Sequence, residues 1–270
     1  MIFKKEDNQL FYEKYGEGHP IIILHAMGTD HRSMKSWVEP IFNHINGFKR
    51  IYLDIPEHGL SKIGSCIKST QNFLDLIQSF IESELNQQPF SLVGHSYGGY
   101  LAQGIMSENK DLVRGLCLLA PVLHQRDRNL PDKVFREVDN EYLDSLNPDI
   151  KSAINTLLVY QKKENIQLFL EEVQPGRLLA NRKFLLSDWR KEGYLIKNDP
   201  LNHTDLLDYP TLLLLGKQDS ICGYIDYTPF LEKFSNLTFT ILDQAGHLMQ
   251  IEKREVVQSL FKDWVVSSLK

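Results

Sequence analysis

Cysteine is scarce in this chain, and the little there is follows no pattern. Cys66, Cys117 and Cys222 are three cysteines among 270 residues. Their odd count and unrelated spacings argue against a disulfide framework and suit a reducing compartment. Cys117 lies within Gly115-Leu116-Cys117-Leu118-Leu119, where a thiol serves as a small hydrophobe. Metal-ligand spacing is missing as well. None of the nine histidines pairs at i, i+4 with a neighbouring carboxylate on a helix. No Cys/His cluster has zinc spacing, so neither a metal nor a cofactor is expected. No apolar run approaches the roughly 20 residues that a membrane-spanning helix needs. Met1 to Asp7 has no apolar h-region and no small-residue cleavage site, so no signal peptide is expected and the protein reads as cytoplasmic. Basic excess is absent too: the formal net charge is −5, with both signs interspersed. That argues against nucleic acid or an anionic membrane as partner and leaves a small molecule. Internal repeats and low-complexity stretches are also lacking.

What the chain does have is a β/α alternation, with 42% hydrophobic residues to cover a core. Ile2-Phe3-Lys4 and Leu10 to Tyr15 predict two strands around the polar turn Glu6-Asp7-Asn8. Pro20 to His25 is a continuous apolar, β-branched run of the kind found in a central parallel strand covered on both faces. Further strands are predicted at 50–55, 90–93, 113–120, 211–215 and 237–242. Helices are predicted at about 34–45, 70–85, 99–106, 227–234 and 252–269. The alternation means βαβ units on a parallel sheet. It stops at Pro121. The segment that follows is helical in character, with Asn147-Pro148 as an N-cap and first-turn pair and further helices expected at 167–173 and 177–189. After Tyr209-Pro210 the β/α pattern resumes. The reading is one core, residues 1–121 and 205–270, interrupted by a helical lid, residues 122–204.

Gly94-His95-Ser96-Tyr97-Gly98 stands between the strand ending at Val93 and a run with apolar residues at helical spacing. A G-x-S-x-G in that setting is a nucleophile elbow, whose glycines keep side chains out of a crowded turn around a strained serine. Such a serine needs a base and an orienting acid. Loops after parallel strands collect at one edge of the sheet, so residues just past strand ends converge from distant sequence. Asp219 follows the strand 211–215, and His247 follows the strand 237–242. The chain order Ser96, Asp219, His247 is the one expected of a fold with a nucleophile elbow and not of the other serine-triad folds. Asp243 and Asp226 lie close enough in sequence to compete with Asp219 as the acid. One oxyanion donor should be the backbone N–H of Tyr97, the residue after the nucleophile, and a second should come from the loop after His25.

Together His25-Ala26-Met27-Gly28, Asp54-Ile55-Pro56-Glu57-His58-Gly59, Gly94-His95-Ser96-Tyr97-Gly98-Gly99, Gly216-Lys217-Gln218-Asp219 and Gly246-His247 resemble the α/β-hydrolase superfamily over nearly the whole chain. In spacing and lid position the chain is similar to the superfamily's monodomain esterases, meta-cleavage product hydrolases and cofactor-free haloperoxidases. The resemblance implies an α/β-hydrolase fold: a mostly parallel eight-stranded sheet with helices on both faces and an inserted helical lid. It makes Met27 the second oxyanion donor. Ala26 stands where the family commonly has glycine, and alanine would be strained there if the loop needed a positive φ. The resemblance also makes Asp54 and His58 structural. Ser96 excludes the carboxylate-ester chemistry of the family's dehalogenases and epoxide hydrolases, which carry aspartate at the elbow.

The expected function is a serine hydrolase that acts on a small, mostly apolar ester or related acyl substrate through an acyl-enzyme. Three other readings stand beside it. A carbon–carbon bond hydrolase of a meta-cleavage diketone would want a lid arginine for the substrate carboxylate, for which Arg177, Arg182 and Arg190 are available. It would also want an aromatic after the catalytic histidine, where this chain has Leu248. A ligand receptor on the same fold could keep the triad without turnover. A peptidase of the proline iminopeptidase type would want lid acids, for which Glu171-Glu172 offer no assigned place. Tyr160, Phe184 and Trp189 are candidate substrate-binding residues in the lid, with Leu186 beside them, although core packing explains any one of them as well.

Overall fold

The apolar runs become the middle of a single eight-stranded sheet in a computed structural model that describes residues 1–64, 67–202 and 206–268. Cys66, the junction of residues 204 and 205, and Leu269 lie outside the described residues. The strands are β1 (Ile2–Lys5), β2 (Asn8–Tyr15), β3 (His19–Leu24), β4 (Phe48–Leu53), β5 (Phe90–His95), β6 (Val113–Leu119), β7 (Thr211–Gly216) and β8 (Leu237–Leu242). Their order across the sheet is β1-β2-β4-β3-β5-β6-β7-β8. β1 and β2 form an antiparallel hairpin, β2 meets β4 antiparallel, and every later pairing is parallel. The parallel register sets Leu24 beside Gly94, Gly94 beside Leu118, and Gly216 beside Leu242. The loops after β3, β5, β6, β7 and β8 therefore open at one edge of the sheet. β5 and β7 are buried along their whole length, as central strands covered on both faces, while β8 at the margin is mostly partly exposed.

Helices cover both faces. α1 (Arg32–Val38) continues as a tighter 3₁₀ turn, Glu39–His44, where one helix was expected. Pro40 in that first turn has no N–H and its ring crowds the carbonyl four residues back, which ends regular α geometry. α2 (Thr70–Leu85) has the predicted bounds; the Ser69 side chain accepts the Asn72 N–H at its start, and Asn86 leaves it in the left-handed region at φ 45°. Its apolar face, Phe73, Leu74, Ile77, Phe80 and Ile81, is buried. α3 (Tyr97–Glu108) follows the serine directly.

Between β6 and β7 the described residues hold no strand of the sheet, only helices: α4 (Asn140–Asp144), α5 (Pro148–Leu157), α6 (Lys163–Leu168), a π turn at Phe169–Val173, α7 (Gln174–Leu179), α8 (Arg182–Leu185) and α9 (Trp189–Glu192). Asn147 caps α5 by accepting the Asp149 N–H, with Pro148 in its first turn. The predicted helix 177–189 is instead three pieces, broken at Ala180 in extended backbone, after which Asn181 caps α8 by accepting the Phe184 N–H. After β7, Pro229 keeps Ile225–Lys233 a 3₁₀ helix. The chain closes with α10 (Met249–Glu252) and α11 (Arg254–Ser267). Among the described residues no helix is long and apolar enough to cross a membrane. A second hydrophobic cluster joins the insertion, through Ile154, Leu158, Phe169 and Val173, to Leu248 and Ile251 just past β8. The inserted helices are thus packed against the segment that follows His247.

Candidate active site

Ser96 sits at φ 54° and ψ −115°, a strained conformation for a residue with a side chain. The neighbours explain how it is held. Its N–H donates to the Leu119 carbonyl at 2.9 Å, and its own carbonyl accepts the N–H groups of Val122 at 3.0 Å and Tyr100 at 3.1 Å. A Cβ on Gly94 would stand 2.5 Å from the Gly98 carbonyl oxygen, and one on Gly98 would stand 2.4 Å from the His25 carbonyl oxygen. Those two positions admit only glycine, which is the physical content of the G-x-S-x-G spacing.

The loop after β3 approaches the same point. Ala26 to Thr29 form a turn closed by the Thr29 N–H on the Ala26 carbonyl at 3.2 Å, with φ +75° at Gly28. The left-handed residue is Gly28, so Ala26 carries no strain and the substitution at that position is accommodated. The backbone N–H groups of Met27 and Tyr97 have no hydrogen-bond partner among the described residues. Both residues line the cavity onto which Ser96 opens.

His247 bridges the two remaining groups. Its Nδ1–H donates to Asp219 Oδ2 at 2.9 Å, and Ser96 Oγ–H donates to its Nε2 at 2.9 Å. The carboxylate can only accept, so it fixes the tautomer that leaves Nε2 as acceptor. The other Asp219 oxygen accepts the N–H groups of Ile221 at 2.8 Å and Cys222 at 3.1 Å. Burial favours the neutral acid at Asp219, but the His247 charge and these hydrogen bonds prevail and hold its carboxyl below the ordinary aspartate range. Burial likewise opposes a charge on His247, but the adjacent Asp219 carboxylate outweighs it and raises the imidazole above its ordinary value. The group can pass a proton from Oγ to Nε2 and stabilise the imidazolium that results.

The rival acids are elsewhere. Asp243 accepts from Gln218 and lies near Lys217, while Asp226 accepts from Gln125 and Asn129. Asp54 anchors loops: it accepts the His31 N–H at 2.9 Å, the His31 ring at 2.8 Å and the Leu60 N–H at 2.8 Å. His58 donates to the Pro56 carbonyl.

Three groups around the site are not evident from the sequence. His95 Nε2–H donates to the His247 carbonyl at 2.9 Å, and burial together with the nearby His247 holds its own pKa down to about 3, so it stays neutral. Cys222 brings a buried thiol whose Sγ, with an Asp219 oxygen and a His247 nitrogen, falls in a group whose atoms lie within 4.8 Å of one another. Glu252 accepts the N–H groups of Val159 at 2.7 Å, Tyr160 at 2.9 Å and Gly246 at 2.6 Å. One carboxylate thus ties the insertion to the residue before His247. The sequence signal was only an acid at the start of a predicted helix.

Ser96 and His247 open onto a cavity of about 440 Å³, within the usual size range for a small-molecule site. Met27, Val122, Leu157, Tyr194 and Ile221 supply apolar wall, but Gln125, Arg126, Arg128 and Arg190 line it too. The mostly apolar wall expected from the lid composition is therefore mixed. Of the lid residues singled out in the sequence, Tyr160, Phe184 and Trp189 do not line it. Trp189 is 5% exposed, stacked 6.0 Å from Phe73 and set edge-on 5.9 Å from Tyr97, and Phe184 lies 5.1 Å from Trp189. They face the core because α2 and α3 present aromatic surface there. Arg190 reaches the cavity, whereas Arg177 and Arg182 do not line it.

The alpha/beta hydrolase fold family profile matches residues 19–254. The chain is 24% identical to the (E)-2-((N-methylformamido)methylene)succinate hydrolase of Acinetobacter baylyi, over 94% of this chain and 93% of that protein. It is 23% identical to monoacylglycerol lipase ABHD6 of Homo sapiens, over 97% of this chain and 80% of that protein. Among solved structures, an alpha/beta superfamily hydrolase from Oenococcus oeni PSU-1 superposes with a TM-score of 0.88 at 25% identity, each chain covered in full.

Proposed function

The chain belongs to the alpha/beta hydrolase fold family, and from that premise we propose that it is a serine hydrolase of small esters or related acyl compounds, working through Ser96, His247 and Asp219. One observation carries the reading: the unbroken Asp219–His247–Ser96 hydrogen-bond chain, 2.9 Å at each step, opening onto a cavity. Ser96 Oγ attacks the substrate carbonyl as its proton passes to His247 Nε2, and Asp219 stabilises the imidazolium. The oxyanion is received by the Met27 and Tyr97 N–H groups, which have no protein partner to give up. His247 then protonates the leaving group, and water, activated by the same imidazole, releases the acyl group. The serine is held in its strained backbone before substrate arrives, so little reorganisation is needed at the moment of attack. No cofactor is required. We assign the helices of residues 122–204 the role of a lid over the elbow and place the protein in the cytoplasm.

Two of the relatives are named for hydrolysis of a succinate derivative and of a monoacylglycerol, compounds of different charge. The family therefore supports a hydrolase without choosing the substrate. A carbon–carbon bond hydrolase is the second reading, favoured by Arg190 at the cavity; Leu248 after His247, in place of an aromatic, weighs against it. The test is covalent labelling with a neutral fluorophosphonate, then hydrolysis of nitrophenyl acetate through octanoate. Wild type should be labelled and should turn over the shorter esters; Ser96→Ala should fold and show neither. Labelling of Ser96→Ala would overturn the assignment. Turnover of a ring-fission dienoate with no ester hydrolysis would move it to the second reading.

A further inference from the structure

Among the described residues the cavity wall carries three arginines, Arg126, Arg128 and Arg190, and no carboxylate. Arg128, half-buried, donates to the Ile221 carbonyl at 2.8 Å and, more distantly, to the Tyr194 hydroxyl at 3.4 Å and Cys222 Sγ at 4.0 Å. Arg126 donates to the backbone carbonyls of Arg190 and Lys191. Arg190 donates to the Leu185 carbonyl and lies against Met27 Sδ. None of these partners is a carboxylate, and among the described residues no carboxylate lies within ion-pair distance of any of the three. By contrast, Arg50 is paired with Glu39 at 2.7 Å and Arg254 with Glu172 at 2.6 Å. Asp226, in the same loop network, is taken by Gln125 and Asn129.

Positive charge gathered on one concave wall that carries no acid concentrates anions there. General basicity does not explain it, because the chain carries a net charge of −5. Asp219, the acid beside the serine, is already engaged by the His247 ring and by the Ile221 and Cys222 N–H groups. The Arg128 guanidinium has five N–H groups, and the protein leaves some of them, the Nε–H included, without a partner among the described residues. Those donors remain for the planar, two-oxygen face of a carboxylate.

We propose that the cavity recognises a substrate carrying a carboxylate away from the scissile bond, received by Arg128 with Arg126 and Arg190 beside it. This rests on the serine hydrolase reading and narrows it. The preferred compounds are half-esters of short dicarboxylic acids, with apolar methylenes along Val122, Leu157 and Ile221 and the charge at the arginines.

The experiment compares monophenyl adipate with its uncharged analogue, methyl phenyl adipate, in wild type and in Arg128→Gln. Wild type should show a kcat/KM at least about tenfold higher for the anion, a preference that shrinks as salt rises from about 20 to 500 mM. Arg128→Gln should bring the ratio toward one, chiefly through KM for the anion; Arg128→Lys should recover part of it. If Arg128→Gln fails to fold by circular dichroism, Arg190→Gln and the wild-type salt series decide the same question. A wild type that is labelled by the neutral fluorophosphonate yet prefers the neutral ester, or a ratio unmoved by salt and substitution, overturns this inference and leaves the hydrolase reading standing. A wild type that is not labelled and hydrolyses neither ester overturns the hydrolase reading. In that case calorimetric binding of monomethyl adipate, abolished in Arg128→Gln, would still uphold the anion site, and no binding would end it.

Discussion

Replacing Glu252 by glutamine tests whether one carboxylate holds the insertion to the base loop. Glu252 Oε1 accepts two N–H groups from the insertion, Val159 and Tyr160, and Oε2 accepts the Gly246 N–H. Glutamine keeps a single acceptor oxygen. Placed toward Val159 and Tyr160, it points its NH₂ at the Gly246 N–H, two donors face to face. Leaving that N–H unsatisfied should cost about 1–3 kcal/mol. A second effect runs the other way. Burial pushes the Glu252 carboxyl up to about 7, although all three N–H groups favour the anion. The folded protein therefore binds a proton here that the unfolded chain releases at lower pH. Wild-type stability is aided by this group in acid and loses that aid as pH climbs from the unfolded value through about 7. The span from the unfolded carboxyl sets a ceiling on the order of 3 kcal/mol on this loss, and the partial exposure of the residue discounts it further.

The substituted glutamine has no such titration. The stability gap between wild type and Glu252→Gln should therefore be widest near pH 5, at about 1–3 kcal/mol, and should narrow or vanish by about pH 8. Urea unfolding followed by tryptophan fluorescence at the two pH values measures it, and taking the difference between the proteins cancels the groups they share. The rate of fluorophosphonate labelling should also fall in the variant, because Gly246 precedes His247. A gap that widens as pH rises would mean that the fold favours the anion and would refute the reasoning.

His247→Ala should lower kcat about a million-fold and Asp219→Asn about ten-thousand-fold, because the acid only orients and stabilises the imidazole. Asp243→Asn should be close to wild type in ester hydrolysis, and a larger loss there than in Asp219→Asn would name the wrong acid. Activity should rise with pH along one limb as His247 loses its proton. Its midpoint should lie above the ordinary imidazole value of 6.5, since burial is outweighed by the Asp219 charge. In Asp219→Asn burial acts without that opponent, so the residual activity of a pH series should show the midpoint moving to lower pH. Gly98→Ala should cost about 1–3 kcal/mol in melting experiments and slow labelling, because its Cβ would stand 2.4 Å from the His25 carbonyl oxygen.

The parts legible in the sequence share one physical property, that local pattern and tertiary role coincide. A strand buried on both faces is apolar along most of its length, so β3, β5 and β7 stood out as apolar runs even with Ser91 and Thr211 among their residues. A turn that excludes Cβ atoms must carry glycine, so the elbow announced itself, and Asp219 and His247 followed from where parallel strands end. Helix continuity was less legible where a proline or an Asn cap interrupts an otherwise continuous apolar period, as at Pro40, Ala180-Asn181 and Pro229. The walls of the cavity were hidden for a different reason. Phe184 and Trp189 have the apolar character of a pocket lining, but Phe73 and Tyr97, far away in sequence, offer them a better surface in the core. Arg128 sits in a loop with no period at all, and what distinguishes it from the Arg50 guanidinium is the absence of a carboxylate partner in space. The chemistry proposed for the serine is written in spacing because it needs fixed backbone. The proposed anion site depends on three arginines that meet at one wall without an acid, and that arrangement exists only in three dimensions.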